Sequence, residues 1–451
     1  MSQEEAMNQE RDPSANGHGG LFERFVHSQV SGSIVLLVCT IVALAWANSP
    51  WADRYFELAH TYIGISWGEA TFKLSLQHWV NDGLMVIFFF VVGLEIKREV
   101  VIGRLSTWDQ AILPVTAALG GMVVPALLYS LVNIGGEGVA GWGIPMATDI
   151  AFALGILALF GRRVPIGLKV FLTAAAIADD MGAVLVIAAF YTEKIFFTPL
   201  GVAAVLLFLI FALNRAGVRR PGAYIGLMIG VWLAVFASGI HATVAGVVMA
   251  MLIPVRARIR PERFFDVARA RLDELEKAEL TQESMVDDKK QLAALANVNR
   301  ASGDMLPAGL RLEKYLHPTQ AFLILPLFAL FNAGVAIDGR ILETIRNPIS
   351  LGVILGLVVG KPLGITLFSW LVTRTGKAGL PEGVTWPQLL AVSAVAGVGF
   401  TMSLFISELA FIDHHLVSEA KVGILVASLL AGVCGFVALH RTLPREAVEE
   451  G

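Results

Sequence analysis

The chain has 451 residues, 56% of them hydrophobic and only 16% charged, with a mean hydropathy of +0.69. Soluble domains carry roughly 25% charged and 45–50% apolar residues, so this composition argues against a soluble enzyme and for a chain whose main solvent is lipid. A net charge of −3 is too small to suggest a nucleic-acid partner.

Residues 1–30 read as a cytoplasmic tail: the first 20 are polar and acidic, with no basic n-region of a signal peptide. Apolar runs long enough to span a bilayer then fall near 32–48, 79–96, 110–133, 143–160, 166–191, 198–214, 221–236, 239–255, 319–337, 349–373, 387–410 and 420–439. The expected fold is an all-α membrane protein of about 12 transmembrane helices over 31–442, with a cytoplasmic tail at 443–451. Placing the N-terminus inside puts most of the 34 Lys and Arg on cytoplasmic segments, and an even number of spans then places both termini in the cytoplasm. Cys39 and Cys434 lie inside apolar runs and read as small hydrophobes, not as disulfide or metal ligands; no cofactor is expected.

Two connections are long. In 49–78, β-favouring stretches flank Gly68-Glu69, as in a hairpin on the outer surface, the alternative being an irregular loop on the headgroups. The stretch 257–318 is charged with some helical periodicity and reads as an extended cytoplasmic loop, a solvated helix or partly disordered insertion.

Four ionisable residues lie where an ionised group costs at least about 2.5 kcal/mol: Asp149, Asp179, Asp180 and Lys361. Asp179 and Asp180 sit mid-run in AIADDMGAV, too deep for short side chains to reach the interface. Neighbours on a helix point about 100° apart, so both can address one cavity. Two carboxylates together in low dielectric cannot both stay ionised without a counter-charge, so the pair binds protons. A small hard cation such as Na⁺ or Li⁺ prefers oxygen ligands and would compete with those protons, which is the core of an exchange reaction. The bland alternative is a polar lock between helices.

Lys361 stands one position off a stripe of glycines at 352, 356, 360 and 364, which allows a second helix to approach closely, and it is the natural partner of a buried carboxylate. A purely stabilising role for it is compatible with that pairing. Around Asp149, Pro145 and flanking glycines argue against an unbroken helix. An interrupted helix exposes a positive half-helix N-terminus that Asp149 can compensate, and Thr148 offers a hydroxyl oxygen. Gly397, Gly399, Thr401 and Ser403 suggest a second interrupted span. Two interrupted spans, each second in a trio (spans 3–5 and 10–12), point to inverted-topology repeats with the two breaks crossing at the midplane.

MATDIAFALGILALFGRRVP, AIADDMGAVLVIAAFYT, NDGLMVIFFFVVGLEIKRE, GKPLGI and GVGFTMSLF together resemble the NhaA family of sodium/proton antiporters, over about 30–440 apart from the long loop. Broken helices in inverted repeats are a known feature of that family. The resemblance implies an electrogenic exchanger of the bacterial inner membrane that expels Na⁺ or Li⁺ for external H⁺ and is activated at alkaline pH. By position it makes Asp179 and Asp180 the cation- and proton-binding pair, with Asp180 the direct ligand. Asp149 and Thr148 then sit at the crossing, Lys361 is the partner of Asp179, and Asp82 is a supporting outward acid. It places a pH-sensing cluster at Glu95, Arg98, Glu99, Glu313 and His317. Lys314 departs from the histidine expected there; histidine changes charge near neutrality, so His317 carries that role alone and a different pH midpoint is implied. These charges also read as ordinary topology signals and helix-end pairs. The insertion at 257–312 exceeds the corresponding family loop, and the hairpin region 49–78 resembles the element through which members form homodimers.

Two other functions compete. An intramembrane aspartyl protease needs acids from two helices face to face, whereas Asp179 and Asp180 are adjacent on one. A proton-coupled symporter of a small organic anion needs more basic groups at depth than Lys361.

Overall fold

The computed structural model describes residues 29–67, 70–192, 194–216, 221–256, 265, 269, 307–336 and 341–444. Residues 1–28 of the expected N-terminal tail, the hairpin tip Gly68-Glu69, nearly all of the long loop and the segment 445–451 lie outside the described residues, and residues 29 and 30 already belong to the first helix. In chain order the helices are α1 (Gln29–Ala47), α2 (Ala52–Ala59), α3 (Met85–Val101), α4 (Trp108–Val132), α5 (Ile150–Ala158), α6 (Ile166–Phe190), α7 (Phe197–Arg215), α8 (Pro221–Ala237) and α9 (Ala242–Leu252). They continue with α10 (Ala308–Thr319), α11 (Leu325–Asn332), α12 (Ile341–Arg346), α13 (Pro348–Leu355), α14 (Lys361–Arg374), α15 (Trp386–Val395), α16 (Phe400–Ala410) and α17 (His414–Thr442). Between α2 and α3, β1 (Tyr62–Trp67) and β2 (Ala70–Ser75) pair antiparallel with Trp67 opposite Ala70, the hairpin that the sequence suggested. The Trp79 indole N–H donates to the Ile63 carbonyl at 2.9 Å and ties this sheet to the chain entering α3.

Each of the twelve apolar runs overlaps helix, but six to eight candidate membrane spans emerge among the described residues. α1, α4, α6, α7, α17 and the continuous helix Pro348–Arg374 are long and apolar enough to cross a membrane. Two further candidates are bent pairs, a 3₁₀ segment Glu137–Met146 with α5 at 41° and α15 with α16 at 51°. The chain is therefore a predominantly helical, multi-pass membrane protein, with a small two-stranded sheet among the described residues. Its outward apolar surface fits that solvent: in α7 only 11% of the apolar window is buried, and Val205 and Phe208 are exposed.

The ends of the elements follow local chemistry. Asn347 accepts the Ile349 N–H and Pro348 fills the first turn of α13, where a missing N–H costs nothing. Asp413 caps α17 in the same way. At Gly239 (φ +82°) a Cβ would collide with the Lys194 carbonyl, so this turn needs glycine; with Pro254 beyond its other end, α9 is shorter than the apolar run 239–255. π-Helical turns occupy Trp79–Leu84, Gln320–Ile324 and Gly356–Gly360. Each carries an extra residue, which shifts the faces that a regular period predicts.

Two compact units emerge. The first comprises Met1–Val80, Leu113–Asp179 and Pro318–Gly451, the second Asn81–Ile112 and Asp180–His317. In the first, the glycine stripe of α13 and α14 packs on α4: a Cβ at Gly352 would meet Tyr129 and Asn133, at Gly360 Pro125, and at Gly364 the Gly120 carbonyl. In the second, α3, α7, α8 and α9 enclose Phe90, Leu94, Ile210, Val231 and Met249, with Gly246 against the α3 backbone at Val86 and Phe90. Small residues set these close approaches because lipid supplies no hydrophobic drive between helices.

Candidate functional site

The site of the first unit is built where the two bent pairs lose their helical hydrogen bonds. Pro145 and the glycines before it hold Glu137–Met146 in a 3₁₀ path that ends in extended backbone at Ala147. The second break spans Gly397 to Gly399; a Cβ at Gly397 would collide with the Leu357 carbonyl, and one at Gly399 with Ser403 Oγ. The breaks abut: the Asp149 N–H donates to the Val398 carbonyl at 2.7 Å and the Ser403 hydroxyl to the Ile144 carbonyl at 2.8 Å.

Asp149 serves two helix N-termini at once. Its Oδ1 accepts the Phe152 N–H of α5 at 3.1 Å, and its Oδ2 accepts both the N–H of Thr401, at 3.0 Å, and the Thr401 hydroxyl in the first turn of α16. The positive ends of two half-helices thus meet one buried carboxylate. The negative ends find other partners: the Lys361 ammonium donates to the Met146 carbonyl, and the Thr148 hydroxyl lies 3.0 Å from the Ala396 carbonyl. Lys361 also donates to Asp179 Oδ2 at 2.5 Å, an oxygen that lies 2.8 Å from the Thr148 hydroxyl. Lys361, Thr148, Asp149 and Asp179 are all buried, and Lys361 is wholly inaccessible. Asp179 Oδ1 is buried and accepts no hydrogen bond among the described residues. A narrow, mostly apolar cleft reaches Asp179 and Thr148 between Gly121, Phe171, Ile365 and Ser393.

Asp180 follows Asp179 on α6 and is buried. Asp82 lies in the π-helical turn before α3, its carbonyl accepting the Trp232 indole N–H at 2.7 Å. In the second unit, Arg98 Nε lies 3.1 Å from both Glu313 oxygens and Arg98 Nη1 2.8 Å from Glu99, whose other oxygen accepts the Arg104 N–H. Glu95 lies within electrostatic reach of Glu313, Arg98 and Glu99. Glu95, Glu99 and Glu313 thus lie near Arg98, while His317, in the last turn of α10, is exposed.

The sequence marked Thr401 and Ser403 as signs of a break, not as the donors that fix it. It also gave no sign of the π-helical turn Gly356–Gly360 that delivers Lys361 to the site, nor of an ion pair between Glu408 and Lys421 in the first unit.

Abutting broken helices whose half-helix ends are compensated by a buried acid and a lysine are the architecture of an ion-coupled secondary transporter. Comparison with known proteins narrows this. Residues 23–439 match the family described as Na⁺/H⁺ antiporter 1. The Na⁺/H⁺ antiporter NhaA of Sulfurimonas denitrificans is 47% identical over 421 residues, covering 93% of this chain and 95% of its own. NhaA of Rhodopirellula baltica is 46% identical, with 94% of each chain covered, and NhaA 2 of Syntrophotalea carbinolica 44% identical, covering 94% and 97%. The chain belongs to the NhaA family of Na⁺/H⁺ antiporters.

Proposed function

We propose that the protein is an electrogenic, pH-activated antiporter that expels Na⁺ or Li⁺ in exchange for external H⁺, through competition of cation and proton for Asp179 and Asp180. The observation that carries this reading is the Lys361–Asp179 pair with Thr148: a fully buried ammonium holds one carboxylate oxygen while the other, Oδ1, receives no hydrogen bond among the described residues. A cation arriving at the aspartates supplies the positive charge that a proton or the ammonium otherwise supplies, so one must leave as the other binds. Two acids and a lysine offer more than one titrating group per monovalent cation, which supports net charge movement in each cycle.

In this reading Asp180 is the direct cation ligand, Thr148 adds an oxygen, and Asp149 keeps the half-helix ends compensated throughout. Asp82 is a supporting acid on the outward route. Glu95, Arg98, Glu99, Glu313 and His317 set the pH response from the cytoplasmic side. Twelve spans in inverted repeats (3–5 and 10–12) cross the bacterial inner membrane with both termini inside, and the 49–78 hairpin region joins two copies. Symport of an organic anion is the weaker reading, because Lys361 is already committed to Asp179 and the Met146 carbonyl.

The test is Na⁺-driven dissipation of a pH gradient in inside-out vesicles. Asp180→Asn is expected to abolish it, since an amide cannot exchange a proton in this range. Normal dissipation by the well-folded variant would falsify the assignment.

A further inference from the structure

A second carboxylate–lysine pair lies in the first unit, away from the breaks. Glu408 on α16 accepts from Lys421 on α17 at 2.6 Å, the two side chains being only 17% and 10% exposed. A carboxylate two residues from the end of α16 opposes the negative end of its own helix, and a buried pair is no more stabilising than apolar residues would be. It is an expensive arrangement for packing alone.

The neighbours of the pair are oxygen-bearing amides. Gln77 Nε2 lies 3.2 Å from Asn332 Oδ1 and 3.4 Å from Glu408 Oε1, so two oxygens from separate helices converge on one point. Asn332 is fully buried, and its amide nitrogen donates to the Phe328 carbonyl at 2.9 Å, which fixes its oxygen toward Gln77. Turning the Gln77 amide over presents its own Oε1 to the same point, giving a carboxylate and two amide oxygens. Hard cations take such oxygen sets, and a single carboxylate balances a single positive charge. The lysine ammonium already stands at the carboxylate, as Lys361 does at Asp179 at 2.5 Å.

The place is also suitable. Glu408 lies seven residues after Thr401, two turns or about 10 Å along the same face of α16, and Thr401 holds Asp149. Gln77 lies two residues past the hairpin strand that ends at Ser75.

We propose that Glu408, Asn332 and Gln77 form a second station for a small monovalent cation at the hairpin-bearing end of the first unit, where the cation displaces the Lys421 ammonium. The station rests on the antiport reading, which supplies the cation that it would hold.

The experiment reconstitutes wild type, Glu408→Gln and the double variant Glu408→Gln with Lys421→Met in oriented proteoliposomes. Na⁺ is titrated on each face in turn while proton movement is followed. Loss of the carboxylate is expected to raise half-saturating Na⁺ about tenfold on one face and to leave the other within about twofold, in both variants. A merely structural ion pair gives a different pattern: equal shifts on both faces, or wild-type half-saturation once both charges are gone. Either result overturns the station, as does no shift in the single variant. The double variant leaves no unpaired charge, so it reads the question even where the single one folds poorly. Wild-type protein that moves no protons on addition of Na⁺ sinks the antiport reading itself, whatever the variants do.

Discussion

The carboxylate–cation pairs of the two units have the same chemistry and opposite surroundings. Lys361 and Asp179 in the first unit have side-chain exposures of 0% and 4%; Arg98 and Glu313 in the second have 31% and 14%. Removing one partner of the buried pair strands a charge in low dielectric, whereas removing one from the partly solvated pair leaves a charge that water and salt can screen. The first pair is therefore bound up with the stability of its unit, whereas the second can lose a partner with little structural cost. Under the proposed function the first belongs to a site that holds its geometry and the second to a cluster that responds to its medium.

The contrast breaks most directly at Lys361. Lys361→Ala is expected to cost about 3–5 kcal/mol of stability, seen as a lowered melting temperature in detergent, with less effect on ion preference. Wild-type melting together with a lost preference for Na⁺ would contradict it. A smaller loss, about 1–3 kcal/mol, is expected from Thr401→Val, which removes the hydroxyl donor to Asp149 and keeps the backbone N–H. If its melting curve overlays that of wild type, the hydroxyl is not what holds the second break to the first. His317→Ala should leave stability within about 0.5 kcal/mol, because the side chain is exposed, yet shift the pH profile of Na⁺-driven proton movement. An unchanged profile removes His317 from the proposed pH-sensing cluster and leaves Glu95, Arg98, Glu99 and Glu313 in it.

The chemistry-bearing residues within the apolar runs were legible for one reason: charge there is expensive, so Asp149, Asp179, Asp180 and Lys361 stand out against their neighbours. The breaks were legible through Pro145, Gly397 and Gly399, residues that either cannot continue a helix or permit backbone contact. The bonds between the breaks were not. Asp149 and Thr401 are 252 residues apart, and nothing local to either announces the other. The π-helical turns were hidden because one extra residue per turn leaves composition untouched and only slips the period. Glu408 and Lys421 escaped notice for the converse of the first reason: each lies at the margin of an apolar run, where a charge looks like an ordinary interfacial residue. Exposure, not sequence position, reveals that both are largely covered.

The contact between α4 and α14 carries a consequence for how this chain can vary. A methyl group at Gly120 would strike the Gly364 carbonyl, and a methyl group at Gly364 would strike the Gly120 carbonyl. The obstruction at each position is main chain, which no substitution can trim. Neither change can be rescued by a second one across the contact, so the two positions are not a co-varying couple. They are two independent vetoes, each sufficient to push α4 away from the helix that carries Lys361.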